Sequence, residues 1–193
     1  MRLWFRLVLF FLLTPFRPRL KSGTDLSTLN YRVHLSDIDT NVHLNNGQYL
    51  TFMDLGRLDL MVRTGLWKAV MRHKWMPVVS GAKIRFRKEI RLFEPFTLES
   101  RIVYWNEETS VIEQRFRFRS GPKKGILAAS ALVRVGLYDR DARKFVPMAQ
   151  LMEEIGMNEQ SPSLQPHIEA FLNAEGELRT YDRQEATEPM KAA

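Results

Sequence analysis

The stretch Ser36-Asp37-Ile38-Asp39-Thr40-Asn41-Val42-His43-Leu44-Asn45-Asn46-Gly47 is a turn-rich polar loop that runs directly into Gln48–Arg63, QYLTFMDLGRLDLMVR. Asn45 stands where a helix cap is needed. Beyond it, Thr51, Asp54 and Arg57 share one narrow stripe at i, i+3 spacing. Tyr49, Leu50, Phe52, Met53, Leu55, Leu58, Leu60, Met61 and Val62 cover most of the remaining circumference. A helix that is apolar nearly all round is wrapped by protein rather than laid on a surface. Gly65 interrupts the pattern, and Leu66–Trp75 reads as a second, short helix.

The flanking segments read as strands. Asn30–Leu35 alternates, with Tyr31, Val33 and Leu35 opposed to Arg32 and His34. Val78–Lys88, Phe96–Trp105, Ser110–Ser120 and Gly125–Asp139 follow, separated by Glu94-Pro95, Gly121-Pro122 and other short turn signals. A polar turn over Asp139–Lys144 leads to a short helix at Ala149–Ile155. Short turns imply antiparallel neighbours. One strand, one buried helix and then four strands predict an α+β layer arrangement: a curled antiparallel sheet of five or six strands around one long central helix.

With 193 residues, 45% hydrophobic, the chain is long enough for one domain with extensions. It has no cysteine, which excludes disulfides, a thiol nucleophile and a zinc ribbon, and fits a reducing, cytoplasmic setting. The net charge of +7 is unevenly spread. Residues 1–21 carry five basic side chains and no acid, residues 22–156 carry 21 basic and 15 acidic, and residues 157–193 carry three basic and seven acidic. The expected organisation follows: an apolar, basic segment over 1–21, a folded body over 22–156, and a polar extension over 157–193. In that extension only Leu164–Leu172 reads as a short helix, with disorder expected beyond about residue 183.

The first segment, LWFRLVLFFLLTPF at 3–16, has only seven uninterrupted apolar residues, Leu7–Leu13, against the roughly 20 that a spanning helix needs. Three readings stay open: an anchor lying on a membrane surface, a helix packed on its own domain or a dimer partner, and a signal or spanning segment. Its positive charge suits anionic lipid better than nucleic acid.

The block Asp37-x-Asp39, His43-x-Asn45-Asn46-x-x-Tyr49-Leu50, Asp54-x-x-Arg57 resembles the hotdog-fold acyl-CoA thioesterases, in the 4-hydroxybenzoyl-CoA thioesterase-like branch. Arg91-Leu92-Phe93-Glu94-Pro95-Phe96 and Trp105 resemble a narrower, membrane-tethered subgroup of thioesterase-superfamily members. That subgroup also has an apolar N-terminus and a tail like Pro162–Leu178. The resemblance implies a single hotdog domain and an acyl-CoA substrate. It also implies a homodimer or dimer of dimers with sites between subunits, and no metal or cofactor beyond the CoA of the substrate. It assigns Asp39 as the catalytic carboxylate, attacking the thioester carbonyl or activating water, and makes Asn46 and Gly47 part of the reacting centre. His43, Asn45, Tyr49 and Asp54 become candidate substrate-binding positions.

Physical chemistry supports the placement. Thioester hydrolysis needs a base or nucleophile, an oxyanion donor and an apolar slot. Backbone N–H groups at Asn46, Gly47, Gln48 and Tyr49 point out of a helix start, where the macrodipole is positive. Each residue also has a plainer role. Asp39 is an Asx-turn candidate, Asp37 a loop-amide acceptor, Asn45 a cap and His43 a structural loop residue. Asp54 and Asp59 are ion-pair partners of Arg57 and Arg63. Asn46 stands where some relatives carry a functional histidine, and asparagine cannot serve as a base.

Val42 stands where many relatives carry glycine, and a β-branched residue disfavours positive φ, so either the loop is expected to run differently or activity on CoA esters is expected to be weak. The basic rows Lys83/Arg85/Arg87 and Arg115/Arg117/Arg119 suit phosphates, or neutralisation by Glu99, Glu107, Glu108 and Glu113 across strands. Phe116 and Phe118 face the other way, so no stacking platform for nucleic acid forms and no nucleic-acid partner is expected. The alternative to an enzyme is a membrane-associated acyl-binding or scaffolding protein of the same fold.

Overall fold

The computed structural model describes residues 2–107, 109–157 and 159–187. The elements are α1 (Arg2–Leu13), β1 (Ser27–Arg32), α2 (Asn46–Thr64), α3 (Leu66–His73), β2 (Met76–Phe86), β3 (Pro95–Trp105), β4 (Ser110–Phe118), β5 (Leu127–Asp139), β6 (Lys144–Phe145), α4 (Met148–Glu154) and α5 (Pro166–Thr187). The polypeptide divides into two units, residues 1–162 and 163–193.

In the first unit the strands form one six-stranded sheet in the order β1-β3-β4-β5-β2, with β6 against β5. Every pairing is antiparallel, and the short connections β3–β4, β4–β5 and β5–β6 require it of those three. This is the expected α+β arrangement. α2 lies over β1, β3 and β4. Period-2 alternation turns Phe96 and Leu98 of β3 and Phe116 and Phe118 of β4 toward Phe52 and Met53 of the helix, and these make the main core. A second cluster gathers Ala69 and Val70 of α3, Trp75, Trp105, and Met148, Leu151 and Met152 of α4. Gly65 ends α2 at φ 90°, a left-handed conformation that glycine takes without steric cost.

The helix and sheet meet closely at Gly56. Gln114 of β4 is fully buried there and donates to Met53 O at 3.0 Å and Ser100 Oγ at 2.9 Å, while its Oε1 accepts from Arg57 Nη1 at 2.9 Å. A Cβ at residue 56 would stand 2.6 Å from Ser100 Oγ and 2.7 Å from Gln114 Nε2.

The N-terminal segment packs on this unit. Phe10 is buried, and the Phe11 ring lies 6.2 Å from that of Trp67. Arg17 pairs with Asp59, which also accepts from Ser27 Oγ and, at 3.3 Å, from Arg63 Nη1. Among the described residues no helix is long and apolar enough to cross a membrane.

The Arg115 row is neutralised in part: Arg117 reaches Glu99 across strands at 2.9 Å, Arg115 reaches Glu113 within β4 at 2.6 Å, where Arg101 of β3 also reaches it at 3.0 Å, and Arg119 has no carboxylate partner among the described residues. Among the described residues no carboxylate stands within ion-pair distance of Lys83, Arg85 or Arg87. Glu108 lies outside the described residues.

The second unit corrects an expectation. Its helix is not the short piece over Leu164–Leu172 but the 22-residue α5, begun by Pro166 in the first-turn position that proline favours. It continues past residue 183, where disorder was expected, to Thr187. Residues 188–193 lie outside the described part.

Gly56→Ala tests the close approach. Helix propensity alone favours alanine by about 1 kcal/mol. Overpacking against the buried Gln114–Ser100 pair reverses the sign, and a net loss of about 1–3 kcal/mol is expected by urea denaturation.

Candidate active site

The site is built on Asp37, because that residue joins three elements. Its carboxylate, almost wholly buried, accepts from His34 N at 2.9 Å and pairs with Arg6 Nη2 of α1 at 2.6 Å. Its carbonyl accepts from Asn45 N at 2.8 Å, the residue that caps α2. Arg6 in turn lies 4.4 Å above the Phe52 ring, a cation–π contact inside the core's edge. Asp37 is thus the loop-amide acceptor expected of it, with a partner in α1 that local spacing does not reveal.

From Asp37 the chain makes a small hairpin. Ile38 bridges Leu44, Asp39 N donates to His43 O at 3.1 Å, and Val42 N donates to Asp39 O at 3.1 Å. The loop is Thr40-Asn41-Val42, with its third residue left-handed, the position that glycine usually fills in such turns. Val42 fills it with φ 61°. Val42 thus adopts the positive φ that its side chain disfavours, and the valine bears the strain. Residues 90–92 impose this from the side, with Leu44 N on Ile90 O at 2.8 Å and a bridge from His43 to Arg91. A non-glycine residue held at positive φ in so short a loop is the kind of strain that surrounding structure must over-determine.

Asp39 Oδ1 accepts from Asn41 N at 2.9 Å, the Asx turn of its plainer reading. Its other oxygen, Oδ2, stands 3.5 Å from His43 Nδ1. Both side chains are about a quarter exposed, so a solute can reach them. Arg91 holds Glu89 beside them as an ion, with the hydrogen bond between the two pulling the Glu89 carboxyl below its usual range.

At the helix start, Asn45 Oδ1 accepts from Gly47 N at 2.8 Å, and Gln48 N donates to Asn45 O at 2.9 Å. The cap thus occupies the amide of Gly47. Among the described residues the Asn46 N–H has no hydrogen-bond partner, and it sits at the positive end of a 19-residue helix.

The other candidates lie apart. Tyr49 is a core residue, edge-on to Phe86 and Phe116, and burial pushes its hydroxyl up to about 12. Asp54 is exposed and paired with Arg57, eight residues or about 12 Å along the helix from Asn46. Burial lowers the Arg57 guanidinium below its usual value, with Asp54 opposing the shift. The structure therefore gathers Asp39, His43, Asn45, Asn46 and Gly47 on one loop and helix start, and sets Tyr49 in the core and Asp54 further along the helix. Among the described residues no group of three or more His, Asp or Glu could hold a metal ion. Arg6 was not read from the sequence as a contributor. Its signal was a single charge interrupting an apolar run.

The family described as the thioesterase-like superfamily matches residues 33–165, well over half of the chain. The protein is 39% identical to Protein THEM6 of Danio rerio over 103 residues, 53% of this chain and 50% of that one. It is 35% identical to Protein THEM6 of Xenopus laevis over 80 residues, 42% of this chain and 39% of that one. The chain thus spans half or less of these two relatives' length. Among solved structures, the fold resembles the probable thioesterase YbaW of Escherichia coli, with TM-score 0.60 and 22% identity, covering 66% of this chain and 95% of that one. It also resembles a 1,4-dihydroxy-2-naphthoyl-CoA thioesterase from Synechocystis, with TM-score 0.57 and 14% identity, covering 68% and 95%.

The strain at Val42 has a measurable sign. Left-handed φ costs a non-glycine residue about 1–2 kcal/mol, and the greater freedom of unfolded glycine returns about 0.4–1. Val42→Gly is therefore expected to raise unfolding stability by about 1 kcal/mol or slightly less, read by urea denaturation.

Proposed function

The chain belongs to the thioesterase-like superfamily, and from that premise we propose that it is an acyl-CoA thioesterase, cleaving a fatty or aromatic acyl-CoA to the free acid and CoA. The observation that carries the reading is the Asp39 carboxylate, 3.5 Å from His43 Nδ1 and on the loop that delivers the unpartnered Asn46 N–H. A thioester carbonyl hydrogen-bonded to Asn46 N–H develops its negative charge toward the helix start, where one well-placed donor is typically worth about 10²–10³ in rate. Asp39 then either attacks the carbonyl carbon, so that the C–S bond breaks to release the CoA thiolate and water afterwards hydrolyses the acyl–Asp39 anhydride to the free acid, or takes a proton from the water that attacks, so that C–S cleavage yields the free acid directly and the proton passes to the CoA sulfur. His43 is placed to stabilise the ionised carboxylate when protonated. Neither route needs a metal or redox group.

The acyl slot favours a homodimer. A small apolar chamber of about 100 Å³ lies under the second half of α2, between Leu60, Met61, Val78 and Ile112. Leu60 is 14 residues, or about 20 Å, along the helix from Asn46, too far to serve the same protomer's loop directly. The long strand β2 is an edge of the sheet, with Val79 and Phe86 exposed, and pairing of two such edges would join the copies. Membrane-surface contact fits the outer side of α1, where Trp4 is 73% exposed and Val8 and Leu12 lie alongside it, followed by Arg19 and Lys21.

The test is thiol release from short, long and aromatic acyl-CoAs by the wild type and Asp39→Asn. Turnover by the wild type, with a fall of two orders of magnitude or more in kcat/KM for the variant, is expected. Equal rates would move the reaction to another residue, Asp54 first. Binding of acyl-CoA without turnover across the panel would replace the enzyme by an acyl-binding protein, a reading to which the Asn41 bond on Asp39 Oδ1 lends weight.

A further inference from the structure

We infer that the groove between α1 and β1 binds one carboxylate on a single, short hydrocarbon chain, with its head beside Arg32, His34 and Arg119. The groove has a volume of about 630 Å³, within the range of small-ligand sites. One wall is the stripe Phe5, Leu9 and Leu13, spaced i, i+4, i+8 along α1. The other includes Leu29 and Tyr31 of β1.

The cations without a carboxylate partner stand at one end of the groove. α1 runs antiparallel to β1: Arg17, beyond its C-terminus, reaches Thr28 O at the start of the strand, and Arg6, near its N-terminus, reaches Asp37 beyond the strand's end. Arg32 and His34 therefore lie at the N-terminal, positive end of α1. Arg119 joins them across the sheet, because Arg32 faces Pro95 and Arg119 N donates to Pro95 O. All three side chains are exposed. Arg32 spends one N–H on Phe93 O at 2.9 Å, and among the described residues none of the three has a carboxylate partner. Among the described residues no acidic side chain lines the groove, and its two other arginines, Arg6 and Arg17, are already paired with Asp37 and Asp59.

The ligand class follows from that polarity. An apolar channel closed at one end by unpaired cations matches a single anionic head on a hydrocarbon chain. The two arginine clasps hold α1 at both ends and set the width. The walls are only about 12 Å of helix, Phe5 to Leu13, facing about 13 Å of strand, Thr28 to Arg32. That favours one short chain taken from solution over a two-chain lipid in a bilayer. Asp39, Val42, His43 and Asn46 do not line the groove, so this binding does not depend on the thioester chemistry.

The experiment is titration calorimetry of the full chain with dodecanoate below its micelle concentration. One-to-one binding is expected. The double variant Arg32→Glu/Arg119→Glu, both sites being exposed, is expected to lose at least tenfold in affinity while unfolding at the wild-type temperature. Leu9→Trp, which fills the channel without touching the head end, should lose affinity too, and Asp39→Asn should keep it. Dodecyltrimethylammonium, with the same chain and the opposite charge, should not compete. The inference is overturned if both groove variants bind like the wild type, if the cationic amphiphile competes equally, or if Asp39→Asn alone abolishes binding. It is also overturned if the protein binds phosphatidylserine vesicles and no dodecanoate monomer, which would mark the cations as a bilayer contact.

Discussion

Two carboxylates buried inside this protein, Asp37 and Asp59, impose the conditions that the rest of the structure satisfies. A carboxylate out of water is tolerable only with a cation and hydrogen bonds of its own. Asp37 has Arg6 and the amide of His34; Asp59 has Arg17, Arg63 and the hydroxyl of Ser27. Arg6 and Arg17 both precede residue 33, where the superfamily match begins. The conserved-type domain is thus electrostatically incomplete without the segment before it. That segment is apolar enough to suggest an anchor, yet it supplies two of the domain's internal counterions.

The same two clasps explain how a loop becomes a site. Asp37 is fixed from one side by α1 and from the other by the cap residue Asn45, so the hairpin between them has little freedom. The close seat of α2 on the sheet at Gly56 sets the position of the helix as a rigid body. Asn46 N–H and the Asp39 carboxylate therefore inherit their places from contacts in the core and in α1. The left-handed Val42 is what remains when a short loop must join two ends already fixed.

What was legible in the sequence was local. Asn45 as cap, the Asp54–Arg57 and Asp59–Arg63 pairs, the all-round apolar α2 and the alternating strands each depend on residues within a few positions. What escaped was non-local or against steric habit. Arg6 and Asp37 are 31 residues apart, Arg17 and Asp59 are 42 apart, and nothing in either neighbourhood names the other. The φ of Val42 was not legible because the side chain argues against what the framework enforces. Tyr49 belongs to a motif that suggests substrate, but its ring is needed between Phe86 and Phe116. The length of α5 escaped because the helix has no continuous apolar stripe, the signal by which helices are read.

The separation of 42 residues between Arg17 and Asp59 also sets an order of events during synthesis. At about 5–20 residues per second, α1 is made roughly 2–8 s before the carboxylate that will hold its C-terminal end. For that interval the most apolar helix of the chain has no counterpart in the protein. Until then its apolar face is open to whatever apolar surface it meets first. Where α1 ends up is then decided by timing as well as by affinity. Slowing translation between residues 17 and 59 would favour the outside partner without altering a single contact in the finished fold.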